Sequence, residues 1–308
     1  MKRLNEIKLS YKNGLITKAQ YITQMHEVHQ DLFGYSAYIK DTDIQKIEIS
    51  DDLVIMTSRM DGIRMVCDKD DERIAPIEIL NFNHYEENDF SMVLGLIKNG
   101  SSVFDIGANF GWYSLNVAKR FPDCKIYSFE PIPKTFGYLK ANVDLNGFNN
   151  ININNFGFAD EEKEISFYYY PAGSGNASLA NLSELSNQEE VRCSIKKLDD
   201  YMEKNAAAAI DFIKCDVEGA ELLVFKGGLK SIEKYKPIIF TELLRKWAKK
   251  FNYHPNEVVE LLQGMGYVCF VSSEGKLKKI NAIDDLTVET NFFFLHADKH
   301  SDEIIKFT

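Results

Sequence analysis

The stretch VFDIGANFGWYSL (103–115) ends an apolar run at Asp105 and sets Gly107 and Gly111 four residues apart. SFEP places Glu130 at the end of a second apolar run. IKCDVEGAE brings Asp216 and Glu218, and FTEL brings Glu242. Carboxylates in such places accept hydrogen bonds from hydroxyls, pair with cations, take protons as general bases, or ligate hard metal ions. Gly107 permits a tight turn and a close backbone approach, and Gly111 permits close contact at a helix start. The plainer alternative is a strand–turn–helix in which Asp105 caps the helix.

Those residues need elements that gather strand ends at one place. SSVFDI, CKIYSFE, NININNF, IDFIKCD and KPIIFTE read as strands. GWYSLNVAKRF, PKTFGYLKANVDLNG, GAELLVFKGG and PNEVVELLQGMG read as the helices between or after them. YVCFVS and TNFFFLH close the series as two strands at an antiparallel edge. Such alternation predicts an α/β fold with a mostly parallel sheet and helices on both faces. Residues 1–35 read as one or two amphipathic helices broken near Asn13-Gly14, and 44–68 as a small antiparallel β-meander. DFSMVLGLIKNG, ending at Gly100, reads as a helix before the first core strand. The expected division is therefore an N-terminal extension over 1–75 and a cofactor domain over 76–308. Two probable strands from Glu164 flank a Gly/Ser/Asn-rich loop, which reads as a lid or binding loop. Ala206–Ala209 is an odd alanine run in what reads as a solvent loop, and an engineered surface is the hypothesis. The native gene tests it: four alanine codons there would remove the idea.

In an open α/β sheet ligands bind beyond the carboxyl ends of the strands. The glycines form GxxxG rather than GxGxxG, and no Lys-Ser/Thr follows, so neither a dinucleotide fingerprint nor a phosphate loop is supported. Asp105 before the turn would repel a pyrophosphate and suits a ligand carrying an amine. Glu130 at the next strand end can accept both hydroxyls of a ribose. A nucleoside with a free ribose and a cationic amino-acid tail fits, and S-adenosylmethionine is such a molecule.

VFDIGANFGWYSLNVA, FEPIPKTFGYLKANVDLN, IDFIKCDVEGAELLVFKGG and KPIIFTEL, in this order, resemble the FkbM family of S-adenosylmethionine-dependent methyltransferases over about residues 80–270. The resemblance implies a class I methyltransferase (Rossmann-like) seven-stranded sheet. It also implies O-methylation of a hydroxyl, often on a sugar, glycan or polyketide. Carried over, Asp105, Gly107, Ala108, Asn109 and Gly111 would line the methionine end of the cofactor with Tyr113 nearby. Glu130 and Pro131 would hold the ribose, and Asn155, Phe156 and Gly157 would face the adenine. NFGFAD stands where the family more often shows an Ala-Leu-Ser/Asp-like turn, which weakens the adenine assignment.

Methyl transfer requires an aligned acceptor, exclusion of water and removal of the hydroxyl proton. Asp216, which would also border the cofactor, Glu218 and Glu242 are the candidate catalytic residues. One of them serves as base or binds acceptor hydroxyls, or two or three hold Mg2+; the metal-free reading is favoured. For Glu218 the structural alternative is an acid at a helix N-terminus. Glu221 is expected to face solvent or cap its helix. Asn142 reads as a tie between its helix and a neighbouring loop. Tyr85 and Glu86 match a Tyr-Glu pair common in the family, and either close over the cofactor or cap the next helix. His84 precedes that helix, and His254 reads as a helix-start residue before Pro255. Trp112 reads as core or a subunit contact. Tyr168–Tyr170 would suit sugar stacking or plain strand packing.

The formal net charge is −10, with no long Lys/Arg block, so nucleic acid is an unexpected partner. Five scattered cysteines without CxxC spacing argue against zinc or a disulfide framework and for a reducing, cytoplasmic setting. The first residues show no signal-peptide pattern and no membrane span is read. Expected partners are a small-molecule or glycan acceptor, and a homodimer is compatible with the extension. Two other function classes stay open: a Rossmann-type oxidoreductase, which NAD binding would reveal, and a non-catalytic protein that keeps the cofactor fold.

Overall fold

The computed structural model describes residues 2–169, 189–205 and 209–308. The polar loop after Tyr169, the side chains of the tyrosine run and Ala206–Ala208 lie outside the described residues.

The chain opens with a helical hairpin, α1 (Lys2–Lys12) and α2 (Lys18–Tyr38). Thr17 starts α2 with a reciprocal capping box: its hydroxyl accepts from the Gln20 N–H, and the Gln20 side chain accepts from the Thr17 N–H. The meander follows as β1 (Ile44–Ser50), β2 (Leu53–Ser58) and β3 (Arg64–Cys67), all antiparallel. Then come α3 (Ala75–Phe82), not foreseen from the sequence, and α4 (Glu87–Leu96).

The alternating part runs β4 (Ser102–Ile106), α5 (Trp112–Arg120), β5 (Lys125–Phe129), α6 (Pro133–Asn146) and β6 (Ile151–Asn154). A small second sheet interrupts it: β7 (Gly157–Phe158), β8 (Lys163–Tyr169) and β9 (Glu189–Lys196). It resumes with α7 (Leu198–Lys204), β10 (Phe212–Cys215), α8 (Glu221–Lys226), α9 (Leu229–Tyr235) and β11 (Ile238–Glu242). α10 (Arg245–Ala248), α11 (Asn256–Gly264), β12 (Tyr267–Ser273), β13 (Lys276–Ile280), β14 (Asn291–His296) and α12 (Ser301–Phe307) finish the chain.

The main sheet has the order β13-β12-β14-β11-β10-β4-β5-β6. Its centre, from β11 to β6, is parallel, and β14, β12 and β13 pair antiparallel. This is the class I methyltransferase-like sheet with one strand more than the expected seven. The extra strand, β13, returns from β12 through Glu274-Gly275, both with positive φ (51° and 74°). Two left-handed residues are what a two-residue hairpin turn requires. Its KLKKI sequence carries too little apolar alternation to announce a strand.

β4 is buried along its whole length, which explains its unbroken apolar run. Strand periodicity sends Phe104 and Ile106 to one face, against Leu222, Phe225, Val258 and Leu262. Val103 goes to the other, with Phe90, Val93 and Val117. β4 is followed by β5 on one side and by β10 on the other, so chain order reverses between β4 and β10. A crevice therefore opens beyond their carboxyl ends.

Candidate active site

Gly107 follows β4 with φ 76°. A Cβ placed there would lie 1.8 Å from the Asp216 carbonyl oxygen. Gly111 has φ 91°, and its Cβ would lie 2.7 Å from Leu139 Cδ1 on α6. Both glycines are thus required by chain packing against chain. The Gly107 and Ala108 N–H groups donate to the Phe129 carbonyl, each at 3.0 Å, closing the turn onto the end of β5. Between the glycines Asn109 is also left-handed, with φ 50°, and its N–H donates to Glu130 Oε2 at 3.0 Å.

Glu130 is buried, and the Ile132 N–H donates to its other oxygen at 2.9 Å. Burial pushes its carboxyl up to about 7 despite these two donors. Asn155 donates to the Glu130 and Pro131 carbonyls and so fastens the next turn to this strand end.

On the other side, β10 carries Lys214, which the sequence reading did not single out. Parallel register places Lys214 beside Asp105 on one face of the sheet. Its buried ammonium donates to the Gly107 carbonyl at 2.8 Å and faces Asp105 Oδ1 at 3.6 Å and Asp216 Oδ2 at 3.4 Å. The attraction of Asp216 and Asp105 outweighs desolvation and holds the ammonium above the ordinary lysine range. Asp105 Oδ2 accepts from the Ser114 hydroxyl at 2.5 Å.

Asp216, Glu218 and Glu242 converge, with carboxylate oxygens within 4.8 Å of one another. Burial and mutual repulsion push Glu242 up to about 9 and Glu218 well above the usual carboxylate range. Glu218 has φ 55°. Glu221, expected to face solvent or cap its helix, is buried: it accepts from the Val217 and Gly219 N–H groups just before α8, each at 3.1 Å, and from the Tyr253 hydroxyl. It props the loop that carries Asp216 and Glu218.

A cavity of about 370 Å3 lies between these two sides. Its walls include Gly107, Asn109, Glu130, Pro131, Gly157, Asp216, Glu218 and Glu242. Six of the expected site residues stand elsewhere. Asp105 and Ala108 are buried beneath the turn, and Gly111 packs on α6. Phe156 joins the core beside Phe129, with the Lys196 ammonium 3.8 Å from its ring centre. Asn155 is taken up by the carbonyls named above. Tyr113 is buried and donates its hydroxyl to Glu86. Glu86 is exposed as a residue, yet its carboxyl turns inward onto Tyr113. Loss of water and the nearby Asp216 lift it to about 7.

The cavity also takes Arg73, Glu78, Phe82, His84, Tyr85 and Glu86 from α3 and its flanks. His84, Tyr85 and Glu86 are residues the sequence already drew attention to; Arg73, Glu78 and Phe82 carry no signal there. Arg73 pairs with Glu78, and His84 lies 2.9 Å from Asp43. Asn142 is a structural tie as expected: it donates to the Phe110 carbonyl at 2.9 Å and accepts from the Val66 N–H at 2.8 Å. His254 Nδ1 accepts from the Asn256 N–H at the start of α11.

A parallel sheet with this strand order, a glycine turn after β4 and an acid after β5 define the class I methyltransferase type. The family model of the methyltransferase FkbM domain matches residues 105–269, and the chain belongs to that family. It is similar to "Methyltransferase 1" of Beauveria bassiana, 28% identical over 145 residues, or 41% of this chain and 58% of that protein. It is also similar to "2-O-methyltransferase NoeI" of Sinorhizobium fredii, 27% identical over 162 residues, or 48% of this chain and 65% of that protein. The chain thus spans less than two thirds of either relative. A crystal structure of a methyltransferase FkbM from Methylobacillus flagellatus aligns with 70% of this chain and 52% of its own, at 17% identity and a TM-score of 0.42. Among the described residues no helix is long and apolar enough to cross a membrane.

Proposed function

We propose that the protein transfers a methyl group from S-adenosylmethionine to a hydroxyl of a sugar, glycan or small natural product. One observation carries the reading: a single cavity with Glu130 on one side and Asp216, Glu218 and Glu242 on the other. The donor set fits the cofactor. Glu130 is held in one orientation by two backbone N–H groups, as a ribose-binding acid must be. The carboxylates beyond it suit a cationic sulfonium and amine. The 2-O-methyltransferase among the relatives, that of Sinorhizobium fredii, supports oxygen as the acceptor atom.

In this reading the cofactor supplies an electrophilic methyl for in-line displacement. The turn Gly107–Asn109 and Glu130 position it. Asp105 and Lys214 act from beneath as positioning residues, holding the turn and Asp216 in register. Asp216, Glu218 and Glu242 orient acceptor hydroxyls, and an ionised carboxylate among them takes the hydroxyl proton. Tyr85, Phe82 and the Arg73–Glu78 pair border the acceptor side. The cofactor-binding roles first assigned to Asp105, Ala108, Gly111, Tyr113, Asn155 and Phe156 become indirect ones, through packing.

The convergence of three carboxylates within 4.8 Å supports a second reading at the same acids, in which they hold Mg2+. Turnover after exhaustive chelation separates the two: activity that survives excludes the metal, and activity restored by added Mg2+ supports it.

The decisive test is calorimetric titration with S-adenosylhomocysteine beside NAD, followed by an acceptor screen over sugars and glycans. Micromolar binding of the first and none of the second is expected. The reverse would overturn the cofactor assignment. Cofactor binding without turnover on any hydroxyl acceptor would overturn the reaction.

A further inference from the structure

We propose that Glu86 binds the amine of the cofactor's amino-acid tail; the inference rests on the S-adenosylmethionine reading above and deepens it. That molecule carries two cations. Its sulfonium must lie where the methyl meets the acceptor hydroxyl, beside Asp216, Glu218 and Glu242. Its ammonium stands at the end of a short carbon chain and needs a carboxyl of its own. S-Adenosylhomocysteine keeps the ammonium and has lost the sulfonium charge, so the two demands are separable by experiment.

Glu86 is the N-cap residue of α4, yet its side chain makes no capping hydrogen bond. Its backbone is left-handed, with φ 46° and ψ 38°. Residues with a side chain seldom adopt that conformation, and such strain gathers at ligand sites. The residue lines the cavity with Gly107 and Asn109, and its carboxyl turns inward. Among the described residues the Tyr113 hydroxyl is the one side-chain group that hydrogen-bonds it. Tyr113 is buried, with the rings of Phe90 and Phe240 centred 5.6 and 5.7 Å from its own. Tyr85 next door meets Trp112 edge-on at 5.7 Å. The acid is thus held at its backbone and at its carboxyl.

Strand order places it where the tail would run. The strand ends follow one another as β6, β5, β4, β10 and β11. Glu130 follows β5 and would hold the ribose. Phe158 and Ile195, from the small second sheet after β6, give the cavity an apolar wall that suits the base. The tail then runs the other way, over the turn after β4 toward β10. The Glu86 carboxyl feels Asp216, just after β10, and Lys214 within it. Lys214 is already committed to the Gly107 carbonyl, Asp105 and Asp216. Burial, with Asp216 adding to it, pushes the Glu86 carboxyl up to about 7, as for a charge kept from water without a counter-ion of its own. The ammonium of the tail supplies that counter-ion.

Calorimetric titration of the full chain with two ligands tests this: S-adenosylhomocysteine, and 5′-methylthioadenosine, a nucleoside thioether without the amino-acid tail. In Glu86→Gln the affinity for the first should fall about 10- to 100-fold, while that for the second stays within about twofold. Tyr113→Phe, which removes the hydroxyl that orients the carboxyl, should weaken the first several-fold and spare the second. Circular dichroism checks that each variant folds; if Glu86→Gln does not, Tyr113→Phe decides by the same comparison. Unchanged affinity for S-adenosylhomocysteine would overturn the proposal. So would an equal loss for both ligands in a folded variant, which marks a structural role. A parent that binds neither ligand would overturn the cofactor reading itself, and the role of Glu86 with it.

Discussion

Lys214 and Asp105 stand side by side because parallel register pairs them; removing Lys214 leaves Asp105 buried without its counter-charge, whereas removing Asp105 leaves Lys214 with Asp216. Asp105→Ala, which also strips the Ser114 hydroxyl of its acceptor, should cost about 1–3 kcal/mol of stability, read by denaturant unfolding. Asp216→Asn, at the cavity wall, should keep cofactor affinity within several-fold and lower turnover about 100- to 10,000-fold, in steady-state kinetics beside calorimetry. The raised acid at Glu242 has a consequence for stability. The folded protein keeps that proton up to about 9, while the unfolded chain releases it near 4.5. The folded state binds more protons between those values, so stability should fall as pH rises from about 5 to 9. Glu242→Gln should flatten that slope, and melting temperatures across the window check it. The acids at strand ends were legible because each closes an apolar run. Lys214 was not, because alternation within IKC does not say which residue of β4 it faces; the register with β4 does. Glu221 was not, because its partners, the Val217 and Gly219 N–H groups and Tyr253, meet it only after the loop has folded.

Elements hold these residues through a few close contacts. Gly107→Ala would drive a Cβ into the Asp216 carbonyl and strain a left-handed backbone, so cofactor binding should be abolished by the same titration that detects it in the parent. Asn142→Ala leaves the Val66 N–H and the Phe110 carbonyl unpaired, both on elements packed against α6. A loss of about 2–4 kcal/mol is expected in denaturant unfolding. The alternating strands and helices were readable because buried parallel strands are apolar throughout and their helices are not. β13 was hidden by its lysines, which an edge strand tolerates. α3 was hidden by length: APIEILNF is too short to show a helical period.

At the scale of the whole molecule the crevice follows from strand order alone, and its location was therefore predictable. Its far wall was not. Arg73, Phe82 and His84 come from outside the alternating pattern, and only tertiary packing brings α3 over the strand ends. The deeper feature is the balance of charge around Lys214, one buried ammonium among Asp105, Asp216, Glu218 and Glu242. Under the proposed reaction such a basin would tell a cationic sulfonium from the neutral thioether left behind. A positive guest would draw Glu218 and Glu242 toward ionisation; once the methyl had gone, they would recover their protons and the grip would slacken. Product escape would then be built into the same carboxylates that welcome the substrate.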